Sequence, residues 1–213
     1  MTSPMTPPIP QVKICGITDE PAMQAACDNG ARFVGLVFHP GSPRYLTLDI
    51  AAQLARKVPT AVRSVGLFVD PEDETLMDVL STVQIDMIQL HGNENRTRAA
   101  EIRQKFALPV MKAIRLKTRE DLRQIADFRP VSDWLLFDAG AGDGKTFDWS
   151  LLDGYDDPTG RWMLAGGLTP DNVGNAIQSL APPVLDVSSG VESVRGQKDP
   201  HKIKYFLEEV KNL

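Results

Sequence analysis

The chain has 213 residues, 42% of them hydrophobic, and a formal net charge of −5. That is enough apolar side chain for one substantial core, and the acidic balance lacks the basic footprint that nucleic acid or an anionic membrane surface demands. No stretch reaches the roughly 20 apolar residues that span a bilayer, so neither nucleic acid nor membrane is expected as a partner.

The opening decapeptide, MTSPMTPPIP, has neither the positive charge nor the apolar run of a secretory signal. Its four prolines read as a flexible leader over 1–10, ahead of one domain over 11–213. Cys15 and Cys27 are the two cysteines. So few thiols in a chain of this size point to a reducing, cytoplasmic compartment. Cys27 lies in the alanine-rich helical pattern PAMQAACDNGA and reads as a small buried hydrophobe.

From there the chain alternates. Strand candidates are VKIC (12–15), FVGLVF (33–38), VGLFV (65–69), MIQL (87–90), VMKAI (110–114), WLLFD (134–138), MLAGG (163–167) and VLDVS (184–188). Helical patterns fall at 50–58, 73–83, 94–106, 119–128, 170–180 and 201–211. The helix at 170 has a start signal, with Thr169 to cap and Pro170 in the first turn. Eight β-then-α units predict a parallel sheet. The first strand ends in Cys15-Gly16 with no GxGxxG, which argues against a nucleotide-binding open sheet. The glycine-rich strand ends come late, after the seventh and eighth strands, where barrels place a phosphate site. The expected fold is therefore α/β, a single (β/α)8 TIM barrel.

Barrel chemistry concentrates at the C-terminal strand ends. These ends carry Cys15, then His39 and the loop holding Arg44, Asp70, Gln89 with His91, Arg115, Asp138, Gly166-Gly167, and Asp186 through Ser188, Ser189 and Gly190. AGGLTPDN and DVSSGVE suit an anion, because glycines admit close backbone approach and helix N-termini offer amide donors. The alternative is that these glycines only make tight turns. Gly142, Gly144 and Lys145 form a glycine-rich loop after strand six, either a lid or an ordinary loop. Arg44, between prolines, suits bidentate carboxylate recognition or simple solvation.

Cys15 and Asp138 pair a thiol, whose thiolate is a base, with a carboxyl that donates if its pKa is raised. From chemistry alone the plainer reading, a buried structural cysteine and a solvated or helix-capping aspartate, is the favoured one. His39, His91 and His201 lack metal spacing, and no dinucleotide fingerprint is present, so no metal and no cofactor are implied.

In order, KICGIT (13–18), GLVFHPGSPRYL (35–46), VGLFVD (65–70), IQLHG (88–92), GDGKTFDW (142–149), AGGLTPDNV (165–173) and DVSSGVES (186–193) resemble the phosphoribosylanthranilate isomerase family. The resemblance runs from about Val12 to the C-terminus. It departs at ESVRGQKD, where Arg195 replaces an expected proline or small residue. It implies a cofactor-free Amadori rearrangement of a small phosphorylated aminoaldose, by a monomer or weak homodimer. It assigns the general base to Cys15, the general acid to Asp138 and the anthranilate carboxylate to Arg44. The phosphate falls to Gly166, Gly167, Ser189 and Gly190, and sugar hydroxyls to Asp186, with His91, Gly144 and Lys145 as further substrate contacts. A dual-substrate relative acting on the histidine-pathway aminoaldose would carry aspartate on strand one, where this chain has Cys15. A catalytically silent metabolite sensor would not need Cys15 and Asp138 together.

Overall fold

Eight strands close into a parallel barrel in simple chain order, the last pairing with the first. The structure, a computed structural model, describes residues 9–138 and 148–213. Most of the leader, 1–8, lies outside the described residues. The barrel strands are β1 (Gln11–Cys15), β2 (Phe33–Val37), β3 (Arg63–Phe68), β4 (Met87–Leu90), β5 (Val110–Arg115), β6 (Trp134–Asp138), β7 (Trp162–Leu164) and β8 (Val184–Val187). A short antiparallel hairpin, β9 (Glu192–Val194) and β10 (Gln197–Lys198), follows the barrel.

Helices α1 (Glu20–Asp28), α2 (Leu48–Ala55), α3 (Asp73–Thr82), α4 (Arg96–Phe106), α5 (Arg123–Phe128), α6 (Pro170–Leu180) and α7 (Pro200–Asn212) accompany the strands. Their starts follow local chemistry. Asp19 accepts from Ala22 N at 2.8 Å, Asn95 from Arg98 N at 2.9 Å and Asp199 from His201 N at 2.8 Å, each satisfying an orphan amide. Pro21, Pro170 and Pro200 sit in first turns, where a missing N–H costs nothing. Among the described residues no helix is long and apolar enough to cross a membrane.

Strand pleating sorts side chains into two compartments. Val12, Ile14, Val34, Ile88, Leu135 and their like face the helices in the larger apolar cluster. Phe33, Val65, Met87, Met111, Leu136, Met163 and Val184 fill the lumen. The same alternation turns Lys13 and Cys15 of β1 inward, because Lys13 pairs in register with Phe33 and Asp186, and Cys15 with Gly35.

Several sequence expectations are corrected. The strand expected over 163–167 is only Trp162–Leu164, because Gly166 and Gly167 turn away at φ +86° and +64°. The helix expected from 94 begins at Arg96, and Glu94 turns inward instead. Between β6 and β7 the described residues carry a single 3-10 turn, Trp149–Leu152, rather than an α-helix. An aromatic trio covers that flank: Phe137 lies 5.1 Å from Tyr155 and 5.7 Å from Trp162, ring centre to ring centre.

Candidate active site

A cavity of about 320 Å³ opens at the C-terminal mouth of the barrel. Cys15, Arg44, His91, Asp138, Gly166, Gly167, Asp186 and Ser189 all line it, so eight of the sequence candidates share one space. Gly190 does not line it. A Cβ at Gly190 would collide with the Leu168 carbonyl oxygen, so this glycine lets the loops after β7 and β8 touch. Gly144 and Lys145 lie outside the described residues. His39 and Arg115, noted in the sequence only as following strands, also line the cavity.

On the β1 side, Lys13 is fully buried and its Nζ lies 2.8 Å from Asp186 Oδ1. Burial alone would lower the Lys13 pKa. The Asp186 carboxylate and then the Cys15 sulfur more than offset this, leaving the ammonium above its ordinary value. Burial pushes the Cys15 thiol up. The ammonium of Lys13 pulls it down, the Asp186 charge adds to the rise and Lys198 opposes it, with a net upward shift. Room for the sulfur comes from Gly35, where a Cβ would sit 2.9 Å from Cys15 Sγ.

On the β6 side, Asp138 Oδ2 lies 3.1 Å from His91 Nε2. Gln89 Nε2, an amide donor, lies 2.9 Å from His91 Nδ1. With the amide in this orientation Nδ1 accepts, which leaves Nε2–H pointing at the carboxylate. The backbone beneath His91 is fixed by the buried Glu94 carboxylate. It accepts from Gly92 N at 3.1 Å, Asp70 N at 2.8 Å and Lys112 Nζ at 2.7 Å. Asp70 itself stands at φ +46°, a left-handed conformation that its side chain helps hold by accepting from Asn93 N at 2.7 Å.

Between these two sides stand the turns after β7 and β8. Asn172 of α6 accepts from Thr169 N at 2.9 Å and donates to Gly167 O at 2.9 Å, which sets the shape of the Gly-Gly turn. Ser188 Oγ donates to Cys15 O at 3.0 Å, tying the eighth loop to the first strand.

Sequence reasoning gave no task to three residues, Lys13, Glu192 and Lys198, and named a fourth, Gln89, only as a strand-end residue. Lys13 and Gln89 lie inside recognisable strands, but their inward direction needs the register. Glu192 and Lys198 lie in the stretch read as a loop and form the hairpin that backs Arg44. Glu192 accepts from Arg44 Nε at 2.6 Å and Nη2 at 3.0 Å, and from Lys198 Nζ at 2.6 Å. Burial works against the Glu192 charge, but those donors drive its pKa down to about 2. Among the described residues, no group of three or more His, Cys, Asp or Glu side chains converges as a metal site.

A closed eight-stranded barrel with acid–base groups and glycine turns around one mouth is the architecture of a (β/α)8-barrel enzyme. The profile of the N-(5'-phosphoribosyl)anthranilate (PRA) isomerase family matches residues 12–209. The N-(5'-phosphoribosyl)anthranilate isomerase of Paracoccus denitrificans is 48% identical over 204 residues, covering 92% of this chain and 94% of that one. A solved phosphoribosyl anthranilate isomerase from Thermotoga maritima superposes with a TM-score of 0.86 at 39% identity, covering 96% of this chain and 100% of that one. Another, in complex with reduced 1-(o-carboxyphenylamino)-1-deoxyribulose 5-phosphate, gives 0.83 at 37% identity with the same coverage. The chain belongs to the phosphoribosylanthranilate isomerase family.

Proposed function

We propose that the protein converts N-(5-phospho-D-ribosyl)anthranilate to 1-(2-carboxyphenylamino)-1-deoxy-D-ribulose 5-phosphate, an Amadori rearrangement in L-tryptophan biosynthesis. The observation that carries this reading is the order of groups around the mouth. Cys15 ends β1 and Asp138 ends β6, with the glycine turn after β7 and the serine loop after β8 between them. A substrate whose phosphate sits at Gly166, Gly167 and Ser189 then presents its sugar to a carboxyl on one side and a thiol on the other.

In this reading Asp138 gives a proton to the furanose ring oxygen, and the ring opens to a C1′ Schiff base. Thiolate Cys15 removes the C2′ proton, giving an enolamine with a C1′–C2′ double bond. The Cys15 thiol returns its proton to C1′ while the C2′ hydroxyl gives up its own, which reprotonates Asp138, so the ketone forms with no net gain or loss of electrons or atoms. His91 orients the Asp138 carboxyl, Asp186 faces the sugar hydroxyls, and Arg44 takes the anthranilate carboxylate as an ion pair. Gly144 and Lys145, which follow β6 in the sequence and lie outside the described residues, are assigned to substrate on the family resemblance alone. Gly190 keeps its assignment to the phosphate through its backbone N–H, and its lack of a side chain also lets the two loops meet, since a Cβ there would strike the Leu168 carbonyl oxygen.

Both cysteines are free thiols, and a base at Cys15 must stay reduced, which supports a cytoplasmic setting. A Thermotoga maritima relative has been solved as monomers generated from a dimeric isomerase, which supports a monomer or weak homodimer. The test is direct. Purified protein, with no cofactor added, should abolish the fluorescence of phosphoribosylanthranilate as the aminoketose forms. Unchanged fluorescence at stoichiometric protein would refute the assignment.

A further inference from the structure

The Arg44 guanidinium is not simply an open cation at the rim. Glu192 takes it side-on, with Oε1 on Nε and Oε2 on Nη2. Lys198 Nζ and Gly196 N also donate to the same carboxylate, at 2.6 and 3.0 Å. Four donors thus fill the roughly four acceptor positions of a carboxylate. The backbone of Glu192 is pinned as well, its carbonyl accepting from Lys202 Nζ at 2.8 Å. Two glycines let these parts meet. A Cβ at Gly16 would strike Arg44 Cδ, and one at Gly196 would lie 2.6 Å from Pro43 O. Arg44 lines the cavity, whereas Glu192 does not, and the Glu192 side chain is only 4% exposed.

With Nε and one Nη2 proton committed, Arg44 keeps Nη1 and the second Nη2 proton, a parallel pair on the adjacent edge. That edge is the fork a second carboxylate takes bidentately. We propose that Glu192 is a positioning residue that fixes the Arg44 guanidinium so that its Nη1/Nη2 edge receives the substrate carboxylate, which sets the preference for an ortho-carboxylated arylamine. The proposal rests on the assignment of Arg44 to that carboxylate. Simple charge arithmetic predicts the opposite: an anion behind the cation should weaken anion binding, and its removal should tighten it. The sign of the effect therefore separates the two.

The experiment compares kcat/KM for phosphoribosylanthranilate and for its aniline counterpart, which lacks the carboxylate, in wild type, Glu192→Gln and Arg44→Ala. The ratio of the two values is independent of how much protein is folded. Glutamine has the size of glutamate but turns an amide donor toward donors. Glu192→Gln should lower the ratio about tenfold, equivalent to about 1.4 kcal/mol, mainly through KM for the carboxylated substrate. Arg44→Ala should lower it at least as far, and the double variant no further. If Glu192→Gln does not fold, Glu192→Asp keeps the charge, draws it back by one carbon and should lower the ratio in the same direction. A ratio that stays or rises in the Glu192 variants while Arg44→Ala lowers it overturns the proposal and leaves the function intact. An unchanged ratio in Arg44→Ala overturns the carboxylate assignment itself.

Discussion

Lys13 and Asp186 are register partners across the β1–β8 seam, and their side chains meet at 2.8 Å directly beneath the cavity. The pair closes the barrel and sets the electrostatics under Cys15 at once. Removing one member leaves a buried, unpaired charge, which costs roughly 3–5 kcal/mol. Lys13→Met should lower unfolding free energy by about that amount in urea titrations. It also removes the strongest influence holding the Cys15 thiol down, so alkylation of Cys15 by iodoacetamide should slow at fixed pH. Unchanged stability and unchanged alkylation together would contradict this account.

Catalysis should fail differently on the two sides of the mouth. Cys15→Ser replaces the base with a hydroxyl that does not ionise usefully, and kcat should fall by about 10² to 10⁴. Asp138→Asn keeps the shape of the acid and loses its proton, with a similar fall. Calorimetric binding of the reduced product analogue should survive in Asp138→Asn, since the carboxyl acts on the ring oxygen rather than on the phosphate. Near-normal turnover in either variant would remove that residue from the mechanism.

The Cys15 thiol is displaced upward, so its thiolate is scarce at neutral pH. kcat/KM should climb with pH, and the rising limb should lie above the ordinary thiol range. Stability also falls with acid. The Glu192 carboxyl is held at about 2 against an ordinary 4.5. A depressed carboxyl contributes stability above its unfolded pKa and loses it as pH falls toward the folded value. Wild type should therefore lose stability between about 4.5 and about 2, and Glu192→Gln should lose less across that window. Equal acid slopes for the two proteins would show that the Glu192 charge is not coupled to folding.

Gly35 makes the narrowest prediction. A Cβ there meets Cys15 Sγ at 2.9 Å and Cys15 Cα at 3.0 Å, so Gly35→Ala must displace the thiol or the strand. Overpacking of this kind costs about 1–3 kcal/mol. Activity should suffer more than stability, with kcat falling while KM moves little. A variant with full kcat and an unaltered melting temperature would show that the sulfur has room elsewhere.

The fold was legible because the β-rich runs recur at the spacing of a strand plus a helix, and because the glycine-rich turns come last. Cys15, Asp138 and Asp186 were legible as strand-end residues. Lys13 was not, and Gln89 was placed at a strand end without a role, since a buried lysine or amide inside a strand has no local signature. Its direction depends on register with strands far along the chain. Glu94 was misplaced for a related reason. It fits the charged start of a helix, but Asn95 takes the cap and frees Glu94 to meet Lys112 at 2.7 Å. Glu192 was quoted within a motif but not given a task, because two of its four donors belong to Arg44, 148 positions away.

Lys13 finds Asp186 across 173 positions, and Arg44 finds Glu192 across 148. During synthesis, therefore, the first strand and the Arg44 loop emerge long before the groups that complete them. A nascent chain halted before β8 has a thiol and a guanidinium but no fixed pocket. Ligand capture becomes possible only once the ends of the polypeptide meet, so binding competence reports closure of the ring rather than formation of its separate arcs.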